Sequence, residues 1–357
     1  MLKSFARAAG FLTYLFITLE MLLMITPFAV YYYSVYSPVL DRSLRLPATA
    51  WMPAFFLPHL STEIIPSIGG LIFLLGLIGF LLSAIQLYYA KFRRAGVVRG
   101  GLYKRIRHPQ YLLLAVAGLG LLIVWPRFIL LIVYIHMIWF YYLLARSEER
   151  RMQAQYGELY SEPMRRTPMF LPGEPGAQLA RLLFGWIRSR WVRLFAIYAL
   201  SLAVAVGAAF ALRRFSLALT THLSFADQKV AAVSLASGDG LRLRRLTQSA
   251  MADSEIQNRL NRPDDWVLVL VAEGKGKVVH VMIDAGMMRR RAQDLPLAVS
   301  GVKLVFLQRR DGAHTGPFNT EARWRPVLVA EMNGERISRV LALDQKLFLG
   351  NPVMPIF

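Results

Sequence analysis

Long uninterrupted apolar stretches dominate the first two thirds of the chain, and shorter alternating ones the last third. Phe11 to Tyr33 is apolar over 23 residues and broken only by Glu20. A helix rises about 1.5 Å per residue, and about 20 apolar residues cross a bilayer core, so this stretch predicts a first span. No small-residue cleavage site follows it convincingly, which predicts an anchor rather than a removed leader. Ser67 to Ala90 predicts a second span, with Gly69, Gly70, Gly76 and Gly79 inviting close approach of a neighbouring helix. Tyr111 to Trp125 and Phe128 to Ala145 predict the third and fourth, joined by a tight turn at Pro126-Arg127. Val192 to Leu212 predicts the fifth. Pro47 to Leu60 is too short and too rich in proline to cross, and suits an interfacial loop. Gln178 to Trp191 sets leucines and tryptophans against arginines, the pattern of an amphipathic interfacial helix.

From Ser216 the pattern changes. Trp266 to Val271, Val278 to Ile283, Val302 to Leu307 and Val327 to Met332 are short apolar runs bounded by glycines, prolines and charges, the signature of strands. Asn333-Gly334 suits a hairpin turn. The expected architecture is an α-helical integral membrane domain of about five transmembrane helices followed by a β-rich soluble domain. Its parts are a first span and loop (1–66), a membrane core (67–172), an interfacial helix with the fifth span (173–215) and the β domain (216–357).

Composition agrees: the 357 residues are 55% apolar, with a mean hydropathy of +0.41 and a formal net charge of +20. That excludes a disordered chain and an ordinary soluble enzyme. With no cysteine, disulfides, thiolate catalysis and thiolate-bound metals are excluded. The charge does not point to nucleic acid, because most of it flanks the spans. Lysines and arginines crowd the segments 91–107 and 146–193, while the other loops carry few. The positive-inside rule then places the N-terminus and both basic segments in the cytoplasm. Five crossings put residues 216–357 on the other side, periplasmic if the membrane is a bacterial inner membrane. Arg213-Arg214 runs against that assignment.

Chemistry concentrates on the cytoplasmic side. Gly101-Leu102-Tyr103 leads into Arg107-His108-Pro109-Gln110-Tyr111 at the mouth of the third span. After the hairpin come Glu148-Glu149, then Tyr156-Gly157 with Tyr160, then Arg165, Pro168 and Pro172. A helical hairpin brings its two cytoplasmic ends side by side, so His108 and Glu148/Glu149 are expected within about 10 Å, a helix-pair spacing. The set combines cations for an acidic group, carboxylates for an amine or hydroxyls, and rings for a sulfonium. Each residue alone has a plainer reading, as positive-inside anchor, helix-starting proline, interface aromatic or solvated helix end.

In this order the residues resemble the isoprenylcysteine carboxyl methyltransferase family and its relatives, which include phospholipid N-methyltransferases. The family pattern has Gly-x-Tyr, Arg-His-Pro-x-Tyr-x-Gly, a helical hairpin, Glu-Glu-x-x-Leu, Phe-Gly-x-x-Tyr-x-x-Tyr and Arg-x-x-Pro-x-x-x-Pro. Residues 67–172 carry it, with Leu113 in place of a glycine and Pro163 in place of a tyrosine. The resemblance implies an S-adenosylmethionine-dependent methyltransferase acting on a membrane lipid or small apolar acceptor. It implies that Tyr103, Arg107, His108, Tyr111, Glu148, Glu149 and Tyr160 hold the cofactor, and that Arg165 and Glu149 serve the reacting end. Leu113 could narrow the cofactor slot, and Pro163 removes a hydroxyl near the reacting end. The Arg-His-Pro-x-Tyr turn also resembles that of membrane sterol reductases, which use NADPH. A third reading is a non-catalytic scaffold presenting the C-terminal domain.

Two polar residues sit inside spans. Glu20 is either a substrate-side acid or a protonated group bonded to a neighbouring helix, and His136 either a functional group or a satisfied core histidine; the two could pair. In the tail, His222, His280 and His314 show no metal spacing, and a protein or ligand partner for that domain is left open.

Overall fold

The computed structural model describes residues 46, 48–57, 64–93, 98, 100–171, 175–235, 239–260, 265–284, 289–309, 316–320, 322 and 324–344, with positions 11, 12, 15, 18 and 19 of the first stretch, which are helical. The chain divides into two compact units.

The first unit is helical. Helix α1 (Ile64–Phe92) packs antiparallel on α2 (Pro109–Val124), and small residues set the approach. A Cβ added at Gly76 would stand 2.4 Å from the Ala117 nitrogen, and one at Gly120 2.3 Å from the Phe73 nitrogen, so the two backbones meet where only glycine fits. Gly69 is equally crowded, whereas Gly70 faces open space. Pro109 at the first turn starts α2, and Pro126 follows its end. Helix α3 (Phe128–Tyr156) follows directly, as the predicted hairpin requires. It has 29 residues, so about 11 extend past the predicted span, carrying Glu148 and Glu149 on the helix itself. Short α4 (Glu158–Arg166) and α5 (Pro175–Phe184) follow, then α6 (Arg190–Leu219). The interfacial helix stops at Phe184, not Trp191, yet Leu179, Leu182 and Trp186 are exposed as an apolar stripe requires.

Among the described residues, three helices are long and apolar enough to cross a membrane: α1, α3 and α6. Helix α2, with 16 residues, is shorter, and Phe11 to Tyr33 lies mostly outside the described residues. This is a membrane α-helical domain; against the five spans expected, the described residues hold three long apolar helices and one short one.

The second unit contains residues 126–129, the described part of 25–63, and everything from Ala208 onward. Its sheet has six strands in sequence order: β1 (His222–Phe225), β2 (Val230–Ser234), β3 (Val267–Glu273), β4 (Val302–Arg309), β5 (Trp324–Asn333) and β6 (Arg336–Ala342). Only β2 and β3 run parallel. Helices α7 (Gly240–Ala252) and α8 (Ser254–Leu260) connect those two and pack on one face through Leu243, Leu246, Ile256 and Leu260. Helices α9 (Gly274–Asp284) and α10 (Arg289–Gln293) cover the other.

The sheet carries helices on both faces, and α6 continues past residue 216 to Leu219. Two expectations are corrected. Val278 to Ile283 is not a strand but part of α9. Gly274, at φ +74°, turns the chain out of β3, and Val278, Val281 and Met282 then bury at helical spacing. The β5–β6 loop is Gly334-Glu335, one residue later than expected, with Gly334 at φ +62° supplying the left-handed position.

Residues 48–57 form a loop, as expected, but a buried one. Phe128 packs against Trp51, Phe56 and Phe210, and Phe55 bridges to Arg127. Arg127, 2% exposed, lies over the Phe55 ring and donates to the Pro53 carbonyl. Arg213, 4% exposed, donates to the carbonyls of Phe55 (2.6 Å) and Phe318 (3.1 Å).

Candidate functional site

The cluster is built where α2 begins. Arg107 and His108 lie against 168–169, their amides donating to the carbonyls of Pro168 (3.0 Å) and Met169 (3.2 Å). This backbone clamp ties the start of α2 to the segment after α4. It also turns Arg107 inward. Its Nε donates to Glu149 Oε1 at 2.6 Å, and its Nη1 to the carbonyls of Met164 (2.8 Å) and Thr167. Glu149 is 2% exposed and His108 5%.

The histidine ring sits between two carboxylates. Nδ1 is 3.6 Å from Glu148 Oε2 and Nε2 is 3.6 Å from Glu149 Oε1, ion-pair distances too long for good hydrogen bonds. Tyr111, one turn into α2, donates to Glu148 Oε1 at 2.8 Å. Its ring stacks on His108 and on Tyr141 of α3, with centroids 5.8 and 5.4 Å apart, and Phe170 lies 6.0 Å from the other side of the histidine. The hairpin has thus brought residues some 40 positions apart into contact, as its connectivity predicts.

Tyr103 forms an outer layer. Its hydroxyl donates to Gln110 Oε1 at 3.1 Å, with the Ser83 carbonyl at 3.4 Å, and burial together with Glu148 raises its pKa. Gln86 of α1 donates to the Gly100 carbonyl, and Gly101, at φ +55°, leaves no room for a Cβ beside that amide. Tyr160 is buried, and desolvation plus the nearby Glu149 push its pKa up to about 12, so it stays a neutral hydroxyl.

Two buried polar atoms, His108 Nε2 and Glu149 Oε2, have no hydrogen-bond partner among the described residues. Leaving such atoms unpaired costs about 1–3 kcal/mol each. With the stacked aromatic rings and the Glu148 carboxylate beside them, they make a set of hydrogen-bond donors and acceptors suited to a small polar ligand.

Not every predicted residue joins the cluster. Arg165 is on the outer face of α4, its side chain 72% exposed and paired with Glu158 at 3.1 Å. The arginine that turns inward is Arg107, which the clamp at Pro168 and Met169 holds against α3. Glu20 and Pro172 lie outside the described residues, and of Pro163 only the backbone, within α4, is described. Of the expected pair of Glu20 and His136, only His136 is described. Its Nδ1 meets the Ile132 carbonyl at 2.7 Å and its Nε2 the Tyr198 hydroxyl of α6 at 2.7 Å, the arrangement of a satisfied histidine.

Leu113 does not obstruct the cluster. A Cβ at Gly79 would stand 2.7 Å from its δ-carbon, so the leucine fills the hollow on α1 that this glycine leaves. Positions 111 and 113 are about 200° apart around a helix. The residue replacing the family glycine faces α1, while Tyr111 faces α3.

Sequence reasoning did not single out Ser83, Gln86, Tyr141 or Phe170. Tyr141 lies in a run of aromatics with nothing to distinguish it, and Gln86 could have been noticed as an amide near the end of a predicted span.

No curated protein and no solved structure matches the chain significantly, and residues 216–357 match no family. The segment that carries Tyr103, Arg107, His108, Tyr111, Glu148 and Glu149, residues 68–159, matches the phospholipid methyltransferase family.

Proposed function

We propose that this protein is an integral-membrane methyltransferase that uses S-adenosylmethionine and acts on a lipidic amine. The observation that carries the reading is the cluster of buried His108 and Glu149 with half-buried Glu148, in which two polar atoms have no hydrogen-bond partner among the described residues, lying within the family match. S-adenosylmethionine supplies an electrophilic methyl group on a sulfonium. His108, Tyr111, Glu148 and Tyr160 would hold it, with Tyr103 behind them. Arg107, spent on Glu149 and two carbonyls, positions that carboxylate rather than contacting a ligand.

The charge balance supports an amine over a carboxylate acceptor. Arg107 is satisfied within the protein and Arg165 is exposed, which leaves Glu148, with a side chain 27% exposed, as the accessible charge. A carboxylate there can orient an ammonium and accept the proton it releases when the nitrogen becomes nucleophilic.

An N-terminus in the cytoplasm and a C-terminal domain on the far side find support in the second unit. It gathers the first loop, the 126–129 turn and the end of α6, three segments that five crossings assign to one side. Of the pair Arg213-Arg214 that runs against this, Arg213 is spent on internal carbonyls, while Arg214 is exposed.

The test is calorimetric binding of S-adenosylmethionine and S-adenosylhomocysteine to detergent-purified protein, with His108→Ala and Glu148→Gln alongside. Saturable binding that both substitutions weaken at least tenfold is expected. No binding at millimolar ligand by a folded preparation would overturn the reading and leave the NADPH reductase and the scaffold. With binding in hand, methyl transfer to a phospholipid amine, and not to an isoprenyl carboxylate, is expected.

A further inference from the structure

Every large apolar side chain exposed by the described part of the C-terminal domain lies at one end of its sheet. Leu241 is 67% exposed and Val299 82%. Leu241 opens α7 beyond the carboxyl end of β2, and the Val299 carbonyl accepts from the Lys275 amide beyond the carboxyl end of β3. Helix α6 arrives at this same end. Its last residue, Leu219, is 71% exposed, and only Thr220 and Thr221 separate it from β1. The Thr221 carbonyl accepts from the Ser234 amide at 3.0 Å, and a Cβ on Gly240 would stand 4.0 Å from the Thr221 methyl. The opposite end of the sheet, around Lys229, Trp266, Arg309 and Trp324, exposes no large apolar side chain among the described residues.

We propose that this end of the domain rests on the lipid surface in which α6 is anchored, seating Leu219, Leu241 and Val299 among the headgroups and upper acyl chains. Single exposed leucines are ordinary on soluble surfaces; their confinement to the end that continues a membrane-spanning helix is not. A linker of two residues leaves that end no room to stand far from the bilayer. The attachment is taken as apolar: of the cations at this end, Arg242 pairs with Glu273 at 3.5 Å and Arg245 with Glu335 at 2.9 Å. The occupant is thus a phospholipid leaflet of any charge, and the far end of the sheet is left to face water.

The natural absence of cysteine makes the test direct. Leu241→Cys, Val299→Cys and, as control, exposed Asn258→Cys are each labelled with an environment-sensitive fluorophore in the full chain. The proteins are reconstituted into vesicles of phosphatidylcholine, with and without phosphatidylglycerol. Labels at 241 and 299 are expected to emit at shorter wavelength than the label at 258 and to be quenched several-fold more by lipid-borne nitroxide than by aqueous iodide, equally in both vesicles and at high salt. The label at 258 should show the reverse. Equal iodide quenching at all three positions overturns the proposal. A blue shift without nitroxide quenching that fades as protein is diluted in the bilayer also overturns it, in favour of a second copy of the chain. Quenching that requires phosphatidylglycerol or disappears in salt overturns the apolar account.

Discussion

The protein buries arginines in two regions, by different means. Arg107, at the mouth of α2, is matched by a carboxylate and two carbonyls, in a cluster that still leaves His108 Nε2 and Glu149 Oε2 without partners. Arg127 and Arg213, in the second unit, meet backbone carbonyls and a ring face, with no carboxylate beside them among the described residues, and Arg127 Nε too has no hydrogen-bond partner there. The first arrangement gathers charges of both signs around an aromatic wall, as a site for a charged ligand must. The second fastens backbone segments distant in sequence and offers no acid–base chemistry. Burial of a charge is not by itself a sign of function; what it is paired with decides.

The contrast can be tested from the largest effect downward. Glu149→Ala strands Arg107 in a buried position and should cost about 3–5 kcal/mol, the usual result of breaking a buried pair. Thermal unfolding in detergent would read it, and loss of S-adenosylhomocysteine binding should accompany it. A change below about 1 kcal/mol would mean that the pair is open to water and the contrast false. Leu113→Ala removes the filling of the Gly79 hollow and should destabilise by about 2 kcal/mol, the low end for such truncations. Because Leu113 faces α1, cofactor affinity should not change; tighter binding would show that the leucine does intrude on the slot.

Arg213→Leu removes the guanidinium that donates to the Phe55 and Phe318 carbonyls and should cost about 1.5 kcal/mol. Limited proteolysis of the 48–57 loop should become faster while cofactor binding is retained. Loss of binding instead would mean that the two regions are not functionally separate. Tyr198→Phe deletes the hydrogen bond to His136, worth about 0.6 kcal/mol between membrane helices. At about 18 Å along α3 from Glu148, it should not alter turnover. Arg165→Ala, which removes an exposed pair, should move the unfolding midpoint least of all and leave cofactor binding within twofold; a tenfold loss would return Arg165 to the reacting end.

The hairpin was legible in advance because its signals are local: two apolar runs, Pro109 at a helix start, Pro126-Arg127 at a turn. The meeting of His108 and Tyr111 with Glu148 and Glu149 follows from that connectivity. Which arginine turns inward does not. Arg107 and Arg165 are equally plausible from their neighbours in the chain, and the choice depends on the clamp between 107–108 and 168–169. The same limit explains α9, where Val-Val-His-Val-Met-Ile suits a strand by residue type and only the surface it must cover makes it helical.

What the amino-acid sequence determined by itself, then, is what depends on neighbours within a turn or two: apolar lengths that suit a bilayer, prolines that start and stop helices, and the order of chemistry around a hairpin. The tertiary structure alone decided the partners. Arg107 finds Glu149 across 42 residues and Arg213 finds Phe55 across 158, and His136 is satisfied by a tyrosine of another helix. Such pairings are governed by which surfaces pack together, a property of the folded whole that no local window of the chain contains.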